Sequence, residues 1–196
     1  MLQAERTGSR GTVDAVRGKM TYRGGVHLIQ FEWQPAASKH VAIGVATTSA
    51  SLRAASGSQL LGADDQSIGW NLATKQVFFN DCQIGTLPKT AASSYTVPRR
   101  VVMILNMNDG VLAFRADENN TDVAMTGLKR VGQKLYIAAA MDTPGDTVKV
   151  KYMGTMGECG SLLLCINSNS HNFVPPDKLP ASATLVSTVE TLSHSV

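Results

Sequence analysis

The chain has 196 residues, of which 43% are hydrophobic, and its 18 basic and 15 acidic residues give a formal net charge of +3. A chain of this size and composition can bury one hydrophobic core, so we expect one domain with a tail. The small charge excess, with no Lys/Arg cluster interleaved with aromatic residues, argues against nucleic acid as a partner. The sequence contains neither a signal peptide nor an apolar stretch of about 20 residues. We therefore expect no membrane partner and a cytoplasmic protein, with the nucleus as a second location.

Short apolar runs separated by turn signals follow one another through the middle of the chain. The predicted strands are residues 26–33, 40–47, 69–72, 76–79, 100–107, 111–115, 135–141 and 147–152. This spacing is typical of two antiparallel sheets packed face to face, so we predict an all-β sandwich. Alternation within the strands predicts a core that includes Leu28, Val45, Trp70, Leu105, Leu112 and Ile137.

One hairpin is especially clear, over residues 101–115. Asn108, Asp109 and Gly110 lie between two alternating strands, and these residue types accept the left-handed backbone that a tight turn needs. The last predicted strand, residues 147–152, alternates Lys with Val. This alternation predicts a strand with one solvent-facing side and one buried side.

Residues that could perform catalysis or hold a metal are scarce in this sequence. The four histidines have no Glu or Cys nearby at metal-ligand spacing, and the motifs GxSxG, HExxH and GxxxxGK[ST] are missing. His27 and His40 open predicted strands, so we interpret them as structural. The three cysteines, Cys82, Cys159 and Cys165, form no CxxC pair, which favours reduced thiols over disulfides or a zinc site. We therefore predict no catalytic residue, no metal and no cofactor, and a protein that is not an enzyme.

Residues 60–85, LLGADDQSIGWNLATKQVFFNDCQIG, follow the pattern LLGxDxxSxGW…(H/N)(D/G). This segment resembles SPRY domains, and specifically the SPRY proteins that carry a SOCS box. Further matches in the family order are DAVRGK at residues 14–19, GVH at 25–27, HVAIGVAT at 40–47, VMILNMNDGVLAF at 102–114, GL at 127–128 and LY at 135–136. Ile29 and Ile68 stand where the family has tryptophans, and both remain apolar. The resemblance implies a SPRY-type, concanavalin-like sandwich in residues 1–154, with a short helical or disordered SOCS-box-like tail in residues 155–196.

The resemblance also implies a peptide site on loops at one end of the sandwich. In SPRY proteins with a SOCS box, these loops bind a short Asn-rich linear peptide. The corresponding positions here are Arg6, Gly8, Ser38, Lys39, Gly57, Leu60, Asp142, Thr143 and Pro144. Arg6 and Leu60 keep the family residue, whereas a Tyr and a Trp of the family site are replaced. Because Tyr and Trp often supply most of the binding energy, we expect the same loops to bind a peptide of different sequence. The alternative for Arg6 and Lys39 is a solvated surface charge.

The tail contains two short segments that resemble parts of a SOCS box, in which one helix binds Elongin C and a later segment selects a cullin. The candidate Elongin-binding residues are Leu162, Leu164 and Cys165, and the candidate cullin-box residues are Leu179 and Pro180. The spacing departs from the family pattern, so an apolar strand end followed by a disordered Ser/Thr-rich tail is the alternative. At the other end, the family has further strands before residue 6, and residues 1–11 do not supply them.

Two functions of different classes are consistent with this sequence. The first is a non-enzymatic adaptor that binds a short linear motif of a target protein and links it to Elongin B/C and a cullin ubiquitin ligase. The alternative is a stand-alone SPRY interaction module that recruits no ligase. A sugar-binding or enzymatic β-sandwich ranks last, because the sequence offers no plausible ligand cluster.

Overall fold

The computed structural model describes residues 2–7, 11–34, 40–55, 57–89, 94–116, 121–128 and 134–156. Within these ranges the regular structure consists of β-strands. The strands are β1 (Leu2–Glu5), β2 (Thr12–Arg17), β3 (Val26–Gln34), β4 (Ala42–Ala46), β5 (Arg53–Ala55), β6 (Ser67–Asn71), β7 (Gln76–Phe79), β8 (Cys82–Thr86), β9 (Arg100–Asn106), β10 (Val111–Arg115), β11 (Thr121–Thr126), β12 (Tyr136–Met141) and β13 (Thr147–Met156). The described residues contain no helix long and apolar enough to cross a membrane.

The strands form two antiparallel sheets. The first sheet has the order β1-β13-β3-β9-β10-β11, and the second has the order β5-β2-β12-β4-β6-β7-β8. The predicted all-β sandwich is therefore confirmed. Neighbours such as β13 and β3 lie far apart along the chain, so most of the pairing is non-local.

The main hydrophobic core lies between the two sheets. In β3, Ile29, Phe31 and Trp33 are buried at alternate positions, as expected for a strand with one buried face. The predicted core positions Val45, Trp70, Leu105 and Leu112 are all fully buried, and Ile137 packs against the same cluster. Leu28 was predicted in this core, and that prediction is wrong. The period of two that buries Ile29 and Phe31 turns Leu28 to the outer face of the first sheet.

A second, smaller cluster lies on the outer face of the second sheet. Leu60 and Leu61 cover small side chains there, which are Val13, Ala15, Ala42, Ala46, Ala138 and Ala140. Gly69 permits this close approach, because a Cβ at its position would lie 2.5 Å from the Cβ of Leu61. The turn that follows is held by Asp64, whose Oδ1 accepts hydrogen bonds from the Gln66 N–H and the Ser67 hydroxyl. The first part of the motif LLGxDxxSxGW, residues 60–66, is therefore a loop that covers one face of the sheet, and the rest of the motif lies in β6.

The predicted hairpin forms between β9 and β10, with a different turn from the one expected. Gly110 has a left-handed backbone, with φ of 67°, whereas Asn108 and Asp109 do not. Instead, the buried side chain of Asn106 organises the turn, because its Oδ1 accepts hydrogen bonds from the N–H groups of both Asn108 and Asp109 at 3.0 Å. One left-handed glycine is sufficient, since the side-chain amide satisfies the remaining turn donors.

Candidate functional site

A cleft opens on the flank of the sandwich, where β1 of the first sheet lies beside β2 and β5 of the second. Its volume is about 250 Å³, and its lining residues are Glu5, Arg6, Thr7, Asp14, Val16, Arg53 and Met141. Val16 is 45% exposed, which is unusual for an apolar residue in a strand, while Met141 is buried in the floor. The cleft therefore combines charged rims with an apolar surface.

Arg6 and Asp14 form an ion pair at the base of this cleft. The Arg6 side chain is 2% exposed, and its Nη2 also donates a hydrogen bond of 3.0 Å to the Thr12 hydroxyl. Asp14 uses its second oxygen to accept a bond of 2.7 Å from Nε of Arg53, whose side chain is 74% exposed. Arg6 is thus a buried structural charge and not a solvated one, and Arg53 presents its guanidinium to solvent.

The backbone of Arg6 holds the loop that follows β12. The Arg6 N–H donates to the carbonyl oxygen of Asp146 at 3.1 Å, and the Gly145 N–H donates to the Arg6 carbonyl at 3.0 Å. The buried carboxylate of Asp146 accepts a bond of 3.2 Å from the Thr143 N–H. These bonds place the predicted residues Asp142–Pro144 beside Arg6, although more than 130 positions separate them along the chain.

The other predicted site residues differ in their distance from the cleft, and some lie outside the described residues. Gly57 is exposed and follows β5, whose Ala55 pairs with Thr12 next to the cleft. Leu60 is 4% exposed and packs in the second cluster, so it supports the neighbouring loop. The predicted positions Gly8, Ser38 and Lys39 lie outside the described residues.

Six residues of the cleft did not figure in the sequence-based site, namely Glu5, Thr7, Asp14, Val16, Arg53 and Met141. Asp14 was visible in the sequence as the first residue of the DxxRGK resemblance. Glu5 and Thr7 are the chain neighbours of the predicted Arg6. Val16, Arg53 and Met141 carried no comparable signal, because their role depends on how β2, β5 and β12 pair.

A second polar cluster, consisting of Tyr22, His27 and Tyr152, lies at the other end of the sandwich. Nε2 of His27 donates to the Gly24 carbonyl at 2.7 Å, so its Nδ1 accepts the Tyr152 hydroxyl proton at 2.9 Å. The Tyr22 ring contacts the imidazole edge-on, with 4.7 Å between ring centroids. Both ring nitrogens of His27 are therefore hydrogen-bonded, and its interpretation as a structural histidine stays a prediction.

Burial governs the titration of this cluster. Desolvation, together with a smaller contribution from the neighbouring Tyr152, raises the pKa of Tyr22 to about 12. Desolvation also raises the pKa of Tyr152. It lowers the pKa of His27, with the hydrogen bond to the Gly24 carbonyl acting in the opposite direction. All three groups thus favour their neutral forms, as expected for side chains that hold two loops together.

Comparison with known proteins identifies the family of this chain. The family model described as the SPRY domain matches residues 27–155. The chain belongs to the SPRY family. The SPRY domain is a protein-interaction fold and is generally non-enzymatic. Among the described residues, no group of three or more His, Cys, Asp or Glu side chains could hold a metal ion.

Curated relatives of this SPRY protein include two from flies. F-box/SPRY domain-containing protein 1 of Drosophila grimshawi is 33% identical over 145 residues, which are 74% of this chain and 57% of the relative. The protein of the same name from Drosophila melanogaster is also 33% identical over 145 residues, which are 74% of this chain and 56% of the relative. The chain thus spans somewhat more than half the length of the curated relatives it matches.

Solved structures support the same fold. The SPRY domain of human HERC1 superposes with a TM-score of 0.59 at 17% identity, over 76% of this chain and 87% of that one. The TRIM65 PSpry domain superposes with a TM-score of 0.52 at 20% identity, over 70% of this chain and 68% of that one. The predicted SPRY-type sandwich is therefore confirmed.

The comparisons do not show the predicted subfamily, the SPRY proteins that carry a SOCS box. The relatives carry an F-box in their names, and no SOCS box is shown for this chain. The candidate Elongin-binding residues Leu162, Leu164 and Cys165 lie outside the described residues. The cullin-box candidates Leu179 and Pro180 lie outside them as well.

Proposed function

We propose that this SPRY domain binds a short linear peptide of a target protein and serves as the substrate-recognition part of a ubiquitin-ligase adaptor. The observation that carries the proposal is the SPRY match over residues 27–155, since this fold is a protein-interaction module. The names of the F-box/SPRY relatives support the connection with ubiquitin ligases.

The flank cleft is the proposed peptide site. Its exposed guanidinium, on Arg53, offers a planar fork of donors for a carboxylate or for peptide carbonyl oxygens. Val16, which is 45% exposed, offers an apolar surface beside this fork, and the buried Met141 also lines the cleft. A peptide with an acidic side chain next to an apolar one is the ligand that fits these groups. Gly57 and the Asp142–Pro144 loop would extend the contact on either side.

The base of the cleft is preorganised for this task. Arg6 is fixed through its side chain to β2 and through its backbone to the loop after β12. A site held in this way loses little conformational entropy on binding, which favours affinity for a short peptide.

A peptide selection tests the site. The full chain would be used to enrich binders from a random peptide library, and the affinity of an enriched peptide would be measured by calorimetry. We expect Arg53→Glu to weaken binding about tenfold or more, because it reverses the exposed charge. The matched control is Arg100→Glu, which changes an arginine that is 72% exposed but lies outside the cleft. Equal affinities of both variants and the native chain would exclude the cleft as the site.

For the ligase connection, we propose that residues 157–196 recruit Elongin B/C and a cullin. The experiment is co-purification with Elongin B and C of the full chain and of a chain that ends at Met156. We expect only the full chain to retain the complex. If neither chain retains it, the stand-alone interaction module is the better description, and the peptide-site experiment is unaffected by that result.

A further inference from the structure

The outer face of the first sheet carries a continuous apolar row across four strands. The strand register places its members directly opposite one another, in the order Leu28, Ile104, Ala113 and Val123. Ile104 and Ala113 are buried, at 7% and 0% exposure, although they lie on the outer side of the sheet. Partly buried apolar neighbours extend the row, which are Val26, Val102 and Met156. We call these seven residues the outer patch.

The rest of the same face is polar. The register continues from the outer patch to Gln30, Glu32, Arg100 and Lys149. Glu32 and Arg100 form an exposed ion pair there. An antiparallel sheet with a solvated outer face alternates apolar and polar residues along its strands, and the Glu32 end of this face follows that rule. The outer patch departs from it. Five of its seven members are only partly buried, so they leave apolar surface that a further segment can cover.

The end of β13 indicates which segment of the chain can cover the outer patch. A register shift between Tyr152 and Gly154 turns Met156 to the outer face, where it joins the outer patch. Met156 is the last described residue, so the part of the chain that follows begins beside the outer patch. The longest apolar run in the sequence that follows is LLLCI at residues 162–166, between segments rich in Gly, Ser and Asn.

The distance is compatible with a return onto the sheet. The five residues between Met156 and Leu162 can span up to about 20 Å when extended. Met156 lies on β13, and four strand spacings of about 4.8 Å separate β13 from β11, which is a distance of about 19 Å. Leu162 and the residues after it can therefore reach every member of the row.

We propose that residues 162–166 dock on the outer patch of their own chain. Leu and Ile side chains there would cover Leu28, Ile104 and Val123, and the thiol of Cys165 would become protected from solvent. This contact does not involve the peptide cleft, which lies on the flank of the sandwich. Recruitment of Elongin through Leu162, Leu164 and Cys165 would require the segment to leave the outer patch.

The reactivity of Cys165 tests the proposal. Cys82 and Cys159 are replaced by Ser in the full chain, and the rate of maleimide labelling of Cys165 is measured in buffer and in urea. We expect labelling in buffer to be slower by about tenfold or more, because docking must open before the thiol reacts. Labelling at the same rate in both conditions overturns the proposal.

Substitutions in the patch show whether the protection arises there. Val102→Asp, which buries a charge under the docked segment, is expected to raise the labelling rate in buffer to nearly that in urea. The matched control, Gln30→Asp, lies on the same face outside the outer patch and is expected to leave labelling slow. If circular dichroism shows that Val102→Asp does not fold, Val123→Asp on the edge strand β11 replaces it. Slow labelling in a folded patch variant overturns the proposal.

Dilution separates the tail from a second copy as the occupant. Intramolecular docking leaves the labelling rate unchanged over about a hundredfold dilution, because no association is involved. A rate that rises on dilution would instead assign the outer patch to a contact between two chains and overturn the proposal.

Discussion

The guanidinium group of Arg6 is buried and shares Asp14 with the exposed guanidinium of Arg53. A buried charge is tolerated when it is paired and hydrogen-bonded, and here Thr12 supplies a further partner. The family resemblance assigns Arg6 to ligand contact. In this structure its side chain fixes the cleft from below, while Arg53 faces the space that a ligand would occupy.

Replacement of Arg6 by Ala is expected to lower the free energy of unfolding by about 3 kcal/mol, because it leaves Asp14 without its buried cationic partner. Urea unfolding monitored by circular dichroism measures the change. The control is Arg100→Ala, whose ion pair with Glu32 is exposed and should contribute less than about 1 kcal/mol. Comparable losses for the two variants would contradict the assigned role of Arg6.

His27 predicts a pH dependence of stability. Burial holds its pKa below the ordinary value of 6.5, so the folded state favours the neutral imidazole more than the unfolded state does. The stability that this preference contributes is fully present above pH 6.5 and is lost as the pH falls below 6.5 through the folded-state pKa.

The variant His27→Gln removes this titrating group. Between pH 7.5 and pH 5, we expect its free energy of unfolding to fall less steeply than that of the native chain, because a glutamine takes up no proton. Chemical unfolding at several pH values provides the comparison. Parallel profiles for the two proteins would show that His27 does not carry the effect.

The strands that sequence patterns missed are mostly those at the sheet edges. β1, β11, β5 and β8 are the four edge strands of the two sheets, and β2 lies next to β5. All eight strands predicted from apolar runs are present, and two of them, β7 and β10, have the predicted ends. Edge strands bury little apolar surface, so their sequences lack the alternation on which the prediction depends.

The loop that contains Leu60 and Leu61 depends on one glycine in β6. Gly69→Ala is expected to lower the free energy of unfolding by about 2 kcal/mol, because the new methyl group would overlap Leu61 and displace the loop. Thermal unfolding reports the loss. Gly85→Ala in β8 is the matched control, since a Cβ there meets nothing within 4 Å. A Gly69 variant as stable as the Gly85 variant would show that the loop can move without cost.

The molecule as a whole joins its two sheets by contacts between distant parts of the chain. β1 pairs with β13 and β2 pairs with β12, so the two N-terminal strands are held by strands that begin at residues 147 and 136. The main core draws on both sheets and includes the closely packed rings of Trp70 and Phe114, with centroids 4.9 Å apart. The described residues thus have the contacts of one cooperative unit.

A chain that ends at Met156 is therefore expected to fold. We predict a β-type circular dichroism spectrum and a single thermal transition, because both sheets and their core are formed by residues before this point. The full chain is the reference. A truncated chain without a cooperative transition would show that residues 157–196 are required for the fold.

Local patterns in the sequence were sufficient for the fold class, most central strands and the family. Alternating apolar residues in β3, β9 and β10 report burial directly, and LLGxDxxSxGW reports a loop whose glycine and turn contacts are close in sequence. These features depend on neighbours within a few positions, so they can be recognised without coordinates.

Only the tertiary structure shows that Leu28 in β3 faces away from the main core, how the edge strands pair, and which residues surround Arg6. It also brought β1, β2 and β5 together around the cleft and aligned the outer patch across four strands. The physical reason is that each of these features is produced by strand pairing between distant segments. The side-chain pattern of one strand specifies its buried face, but it does not specify the strand that lies beside it.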